Sequence, residues 1–89
     1  MNQDRARALV QEAARRVVPG ADFAGLAPDA NLRDELEMDS LDFLEFVETL
    51  GELSGRDLTE DDYPALVTWD GCAGLLVSRE SLTHETRSQ

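Results

Sequence analysis

The chain has 89 residues, 42% of them hydrophobic, and a formal net charge of -11. That length accommodates one small hydrophobic core, is too short for most enzymes, and leaves no room for a second domain. A pI near 4.2 argues against a direct hold on nucleic acid or anionic lipid, which would both repel the protein, and favours partners with basic docking surfaces.

Apolar residues recur at helical spacing along the whole chain and no segment sustains strand alternation, so the expected fold is all-α. A first helix is expected to begin near Asn2 to Asp4, with Ala6, Leu9, Val10, Ala13 and Val17 on its core face. It stops at Pro19-Gly20, where a donor is lost and the backbone is freed. A long connection runs from Gly20 to Met38, with a single helical turn expected at Leu32-Arg33-Asp34-Glu35-Leu36 and with Phe23, Leu26 and Leu32 pinning it to the core. An ordered loop of that length usually positions something, and what this one delivers is Ser40.

The second helix is predicted from Ser40 to Leu53, with Asp39 as N-cap and Asp42 three residues on, an acidic variant of the capping box. A short third element follows Thr59 and ends near Leu66, kept brief by Pro64. Thr68 caps a fourth helix from Trp69 to about Arg79 with Trp69, Cys72, Ala73 and Leu76 on one face. Gly71 and Gly74 each weaken it by roughly 1 kcal/mol relative to alanine unless close packing requires them. The expected organisation is one helical domain over residues 1–80 and a flexible polar tail over residues 81–89, in which His84 is solvated.

Cys72 stands alone, without a CxxC pair or a Cys/His cluster to hold a metal, and reads as a small buried thiol. No apolar run approaches the roughly 18 residues that span a bilayer, and Met1-Asn2-Gln3-Asp4 does not open an export signal. A cytoplasmic monomer without membrane insertion is expected.

Charge is concentrated in one place. From Asp34 to Asp62 there are twelve carboxylates against one base, Arg56, whereas the flanks hold four acids to five arginines and three acids to two. At about 100° per residue, Phe43, Phe46, Val47, Leu50 and Leu53 fall within about 120° of one another and form the core face of the second helix. Asp42, Glu45, Glu48 and Glu52 occupy the opposite arc. Leu41 and Leu44 project beside these acids, next to Ser40, as an apolar knob ringed by carboxylates. That combination is expected to form a docking surface; the alternative is a solvated charged face with Leu41 and Leu44 covered by the long connection.

Nucleophilic catalysis by Ser40 would need a base within hydrogen-bond reach and an oxyanion hole, and no Gly-x-Ser-x-Gly elbow surrounds it. No catalytic residue is assigned. A hydroxyl in the first turn of a helix suits a phosphate-linked group, which free N–H groups and the helix dipole favour by roughly 0.3 to 1 kcal/mol. It also suits a serine that only starts a helix. The motif by itself leaves both readings open.

The run from Pro28 to Phe46, Pro-Asp-Ala-Asn-Leu-Arg-Asp-Glu-Leu-Glu-Met-Asp-Ser-Leu-Asp-Phe-Leu-Glu-Phe, resembles the acyl carrier proteins, in which Asp-Ser-Leu begins the second helix. Asp61-Asp62-Tyr63-Pro64 and Thr68-Trp69-Asp70-Gly71 resemble the starts of that family's third and fourth helices. The resemblance covers about residues 5 to 78.

It implies a four-helix bundle with a long first loop and a short third helix. Ser40, flanked by Asp39 and Leu41, would receive 4'-phosphopantetheine from coenzyme A through a magnesium-dependent phosphopantetheinyl transferase. Acyl groups would then ride on the arm as thioesters in fatty acid, polyketide or specialised lipid biosynthesis. The protein would be a substrate of other enzymes and not a catalyst. Asp39, Leu41, Asp42, Leu44, Glu45 and Glu52, with Glu48 on the same acidic arc, would face acyl-transferring and condensing enzymes with basic docking patches. Glu37 and Met38 depart from the family, where glycine and a small or apolar residue are common, and Glu48 stands where an apolar contact is common. An aminoacyl or peptidyl carrier and an unmodified interaction protein of the same fold are the alternatives.

Overall fold

The first helix, α1 (Gln3–Val17), starts where Asn2 accepts a hydrogen bond from the Arg5 N–H at 2.8 Å. It ends ahead of Pro19-Gly20, as the breaker residues require. The computed structural model describes residues 2–87, with side chains described through residue 78. The remaining helices are α2 (Leu32–Glu35), α3 (Ser40–Ser54), α4 (Tyr63–Leu66) and α5 (Trp69–Arg87), with a 3-10 turn at Glu60–Asp62 leading into α4. Apart from an isolated bridge between Asn31 and Thr68, no extended pairing occurs among the described residues. The all-α bundle is therefore the observed architecture, with α2 as a one-turn insert in the long connection.

Helix α1 packs against both α3 and α5. Its small residues Ala6, Val10, Ala13 and Ala14 are buried against Phe46 and Leu50 of α3, Leu66 of α4, and Cys72, Ala73 and Leu76 of α5, all within one core. The alanines let the helices approach closely, and the larger side chains come from the facing elements. Burial pushes the Cys72 thiol up to about 12, and its Sγ donates to the Leu66 carbonyl at 3.3 Å, so this cysteine is a core residue.

Local chemistry sets the element ends. Gly55 closes α3 in the left-handed conformation at φ 71°, which glycine adopts without a Cβ penalty, and donates to the Gly51 carbonyl. Asp62 reaches back to accept from the Thr59 N–H at 2.9 Å, opening the third element. The Thr68 hydroxyl accepts from the Gly71 N–H at 2.9 Å, which starts α5. The backbone of α5 continues to Arg87, past the end expected near Arg79, because residues 78–87 contain neither glycine nor proline to stop a helix. The side chains of the segment 81–89, expected as a tail, and that of His84 lie outside the described residues.

The long connection is fastened at both edges. Phe23 packs edge-on against Trp69, with ring centroids 4.9 Å apart, and Leu32 is fully buried. Backbone bonds from Leu32 N–H to the Val67 carbonyl and from Asp70 N–H to the Pro28 carbonyl then tie the connection to the α4–α5 junction. These bonds fix α2 directly before the head of α3. No described helix is long and apolar enough to cross a membrane.

Candidate functional site at the head of helix α3

Asp39 sits in extended backbone as the N-cap of α3, and its Oδ1 accepts from the Asp42 N–H at 2.8 Å. That bond satisfies one of the orphan donors of the first turn and leaves Ser40, the first helical residue, exposed at the head of the helix. The Asp39 half of the expected box is formed.

The approach to Ser40 is short and tightly held. The Met38 N–H donates to the Arg33 carbonyl at 2.9 Å, and Leu36 and Met38 are buried in the core. Between them Glu37 adopts φ 54°, a left-handed turn that swings the chain from α2 into α3. Glu37 thus stands where the resemblance placed glycine, and the backbone there has the conformation that suits glycine.

Arg33 is the neighbour that sequence reasoning missed. Its Nη2 lies 3.4 Å from Ser40 Oγ, and its guanidinium sits over the Phe43 ring at 5.3 Å from the centroid. A guanidinium stays protonated and offers only donors, so it cannot take a proton from the serine. The signal was present in the charge pattern, since Arg33 is the only base between Arg16 and Arg56. Beside Ser40 lies a groove of about 330 Å³, lined by Arg33, Phe43 and Leu44 on one side and Tyr63, Pro64 and Val67 on the other. Its lining was not legible from periodicity because half of it comes from the α4 region, brought in by tertiary packing.

The exposed side of α3 matches the helical wheel. Phe43, Phe46, Val47 and Leu50 are buried, whereas Glu45, Glu48 and Glu52 are exposed and Asp42 is half-buried. Leu41 is 75% exposed and Leu44 43%, the large apolar residues that the described surface leaves open. The long connection does not cover them. An exposed serine and two exposed leucines at the head of α3 therefore share one face of the helix with an acidic rim that runs along it.

Residues 4–67 match the family described as the phosphopantetheine attachment site, a span of more than half the chain. The chain belongs to the acyl carrier protein family. It is also similar to an acyl carrier protein of Rubrobacter xylanophilus, with 27% identity over 62 residues that cover 70% of this chain and 76% of the relative. No solved structure matches. Carriers of this family hold a covalently attached 4'-phosphopantetheine. The head of α3 fits such a group, since it offers an exposed hydroxyl, open space beside it and a guanidinium placed for an anion.

Proposed function

We propose that Ser40 is the attachment point and that this protein carries acyl groups as thioesters on a 4'-phosphopantetheine arm. The observation that carries the proposal is the position of Ser40: an exposed hydroxyl on the first turn of α3, inside the span matched by the family and directly beside exposed Leu41. In the loading step Ser40 Oγ bonds to the phosphorus next to the pantetheine of coenzyme A. The pyrophosphate bond breaks, adenosine 3',5'-bisphosphate leaves, and the hydroxyl proton passes to a base of the transferase. Arg33, which offers only donors, cannot be that base.

The arm, once attached, supplies a terminal thiol for thioester chemistry. Leu41 and Leu44 supply an apolar anchor for partner enzymes, and Asp42, Glu45, Glu48 and Glu52 supply charge for basic docking patches. Exposed ion pairs contribute about 0.2 to 1 kcal/mol each, which suits a shuttle that must leave each partner. Fatty acid, polyketide or specialised lipid biosynthesis is the expected setting.

The test is to incubate the protein with coenzyme A, magnesium and a broad-specificity phosphopantetheinyl transferase and to measure intact mass. One arm should be added to the wild type and none to Ser40→Ala, which should stay folded because an exposed first-turn hydroxyl contributes little. An arm on the alanine variant would place the site elsewhere. Trapping the thioester formed in the native host and weighing it separates an acyl from an aminoacyl cargo.

A further inference from the structure

Within a stretch dominated by carboxylates, Arg33 directs its guanidinium toward a hydroxyl. It makes no ion pair among the described residues. The side chain is half-buried and its guanidinium rests on the face of Phe43. Its backbone is fixed by the bond from the Met38 N–H and by the neighbouring bond from Leu32 to Val67. This arrangement holds a planar five-donor cation beside Ser40 Oγ at 3.4 Å, a long contact that uses little of its donor capacity.

A phosphodiester at Ser40 would place a fixed negative charge at the head of α3, next to Asp39 and Asp42. Asp39 already accepts the Asp42 N–H, so part of the anion-binding capacity of the helix end is occupied. The non-bridging oxygens of a phosphate on Oγ lie further from the serine than Oγ itself, which suits a guanidinium held at this range. Arginine is also the side chain whose fork pairs best with phosphate oxygens.

We infer that Arg33 is a positioning residue for the prosthetic arm, its guanidinium, braced on Phe43, pairing with the phosphodiester that joins the arm to Ser40. This inference rests on the assignment of Ser40 as the attachment point. The pairing offsets the charge added to the acidic stretch and fixes the first bonds of the arm beside the groove. It also gives the one-turn helix α2 a role, since α2 carries Arg33.

The test compares wild type, Arg33→Gln and Arg33→Lys, each before and after loading, with intact mass confirming the arm. Melting is followed by Trp69 fluorescence and the phosphodiester by its 31P resonance. Loading should shift Tm less favourably in Arg33→Gln than in wild type, by roughly 1 to 8 °C at low salt. The gap should close in about 1 M salt, where screening acts within about 3 Å. Arg33→Lys should restore part of it, and the 31P resonance should move between wild type and Arg33→Gln. Should Arg33→Gln not fold before loading, the same 31P comparison is made between wild type and Arg33→Lys. A loaded protein with equal Tm shifts and an unmoved 31P resonance overturns the role of Arg33 alone. A wild type that gains no mass overturns the Ser40 assignment and this inference with it.

Discussion

Glu37 carries a side chain at φ 54°, where a Cβ crowds the following carbonyl, and it does so in the four-residue link between α2 and α3 that aims Ser40. That conformation costs a non-glycine residue roughly 1–2 kcal/mol, and a glycine there would regain it while giving back about 0.4–1 kcal/mol to unfolded-state freedom. Glu37→Gly should therefore raise Tm by a few degrees. Glu37→Ala removes the same charge but keeps the backbone strain, so an equal rise in both variants would assign the gain to charge. Cys72 is the second residue with a clear forecast. Its thiol lies fully inside the core and is pushed up to about 12 from 9.0. Because the folded state holds this proton more tightly, its contribution is complete below about pH 9 and is lost as pH rises from there toward 12. A thiol reagent at neutral pH should find no reactive thiol in the native unloaded protein, one in the loaded protein on the arm, and an additional one in either form only in denaturant. Rapid labelling of native unloaded protein would contradict the burial. Residue identities made Ser40 and Asp39 legible because a cap acts within three residues. Arg33 showed in the sequence only as the lone base between Arg16 and Arg56, because its place beside Ser40 depends on the fold bringing it over Phe43.

At the scale of elements, the helices were legible where their signals are local. The caps at Asp39 and Thr68 and the stop at Pro19-Gly20 each act through the adjacent backbone, so α1 ends and α3 and α5 begin where these residues place them. Two features needed the tertiary structure: the bridge from Asn31 to Thr68 that fastens the long connection, and the fate of the glycines in α5. A Cβ on Gly71 would stand 2.1 Å from the Ala65 carbonyl oxygen and 2.7 Å from the Thr68 hydroxyl, so close packing demands glycine there. Gly74 meets nothing within 4 Å and retains only the entropic cost of glycine. The same substitution should thus have opposite signs three residues apart. Gly74→Ala should stabilise by about 0.8–1.0 kcal/mol, and Gly71→Ala should destabilise by about 1–3 kcal/mol or more, both read from denaturant midpoints. Stabilisation by both would show that α5 can draw away from Ala65 at little cost.

At the scale of the whole molecule, the proposed docking face and the stability of the fold draw on the same charges. Glu45, Glu48 and Glu52 are exposed like charges at i,i+3 and i,i+4, and no base lies between Asp34 and Gly55 on the chain to offset them. Each helical pair of this kind costs about 0.2–0.5 kcal/mol, and charges about 10 Å apart repel by roughly 0.4 kcal/mol in water before screening. The ion pairs Arg7–Asp70 and Arg16–Glu12 both lie outside the acidic stretch, and surface pairs like these contribute about 0.2–1 kcal/mol each. Among the carboxylates of α3 and its flanks, repulsion draws on a stability of about 5–15 kcal/mol, so screening should relieve more than it removes. Raising monovalent salt from low to moderate concentration at neutral pH should raise Tm, followed by the fluorescence of Trp69, whose ring packs against Phe23. Glu45→Lys sharpens the expectation because it replaces a repulsion on α3 with an attraction toward Glu48 while inverting the charge beside Leu41 and Leu44. That variant should melt higher than wild type at low salt, respond less to added salt, and accept the arm more slowly through the association step. If it instead melts lower while loading at the wild-type rate, the acids of α3 neither strain the fold nor steer a partner, and the carboxylate rim is solvated surface.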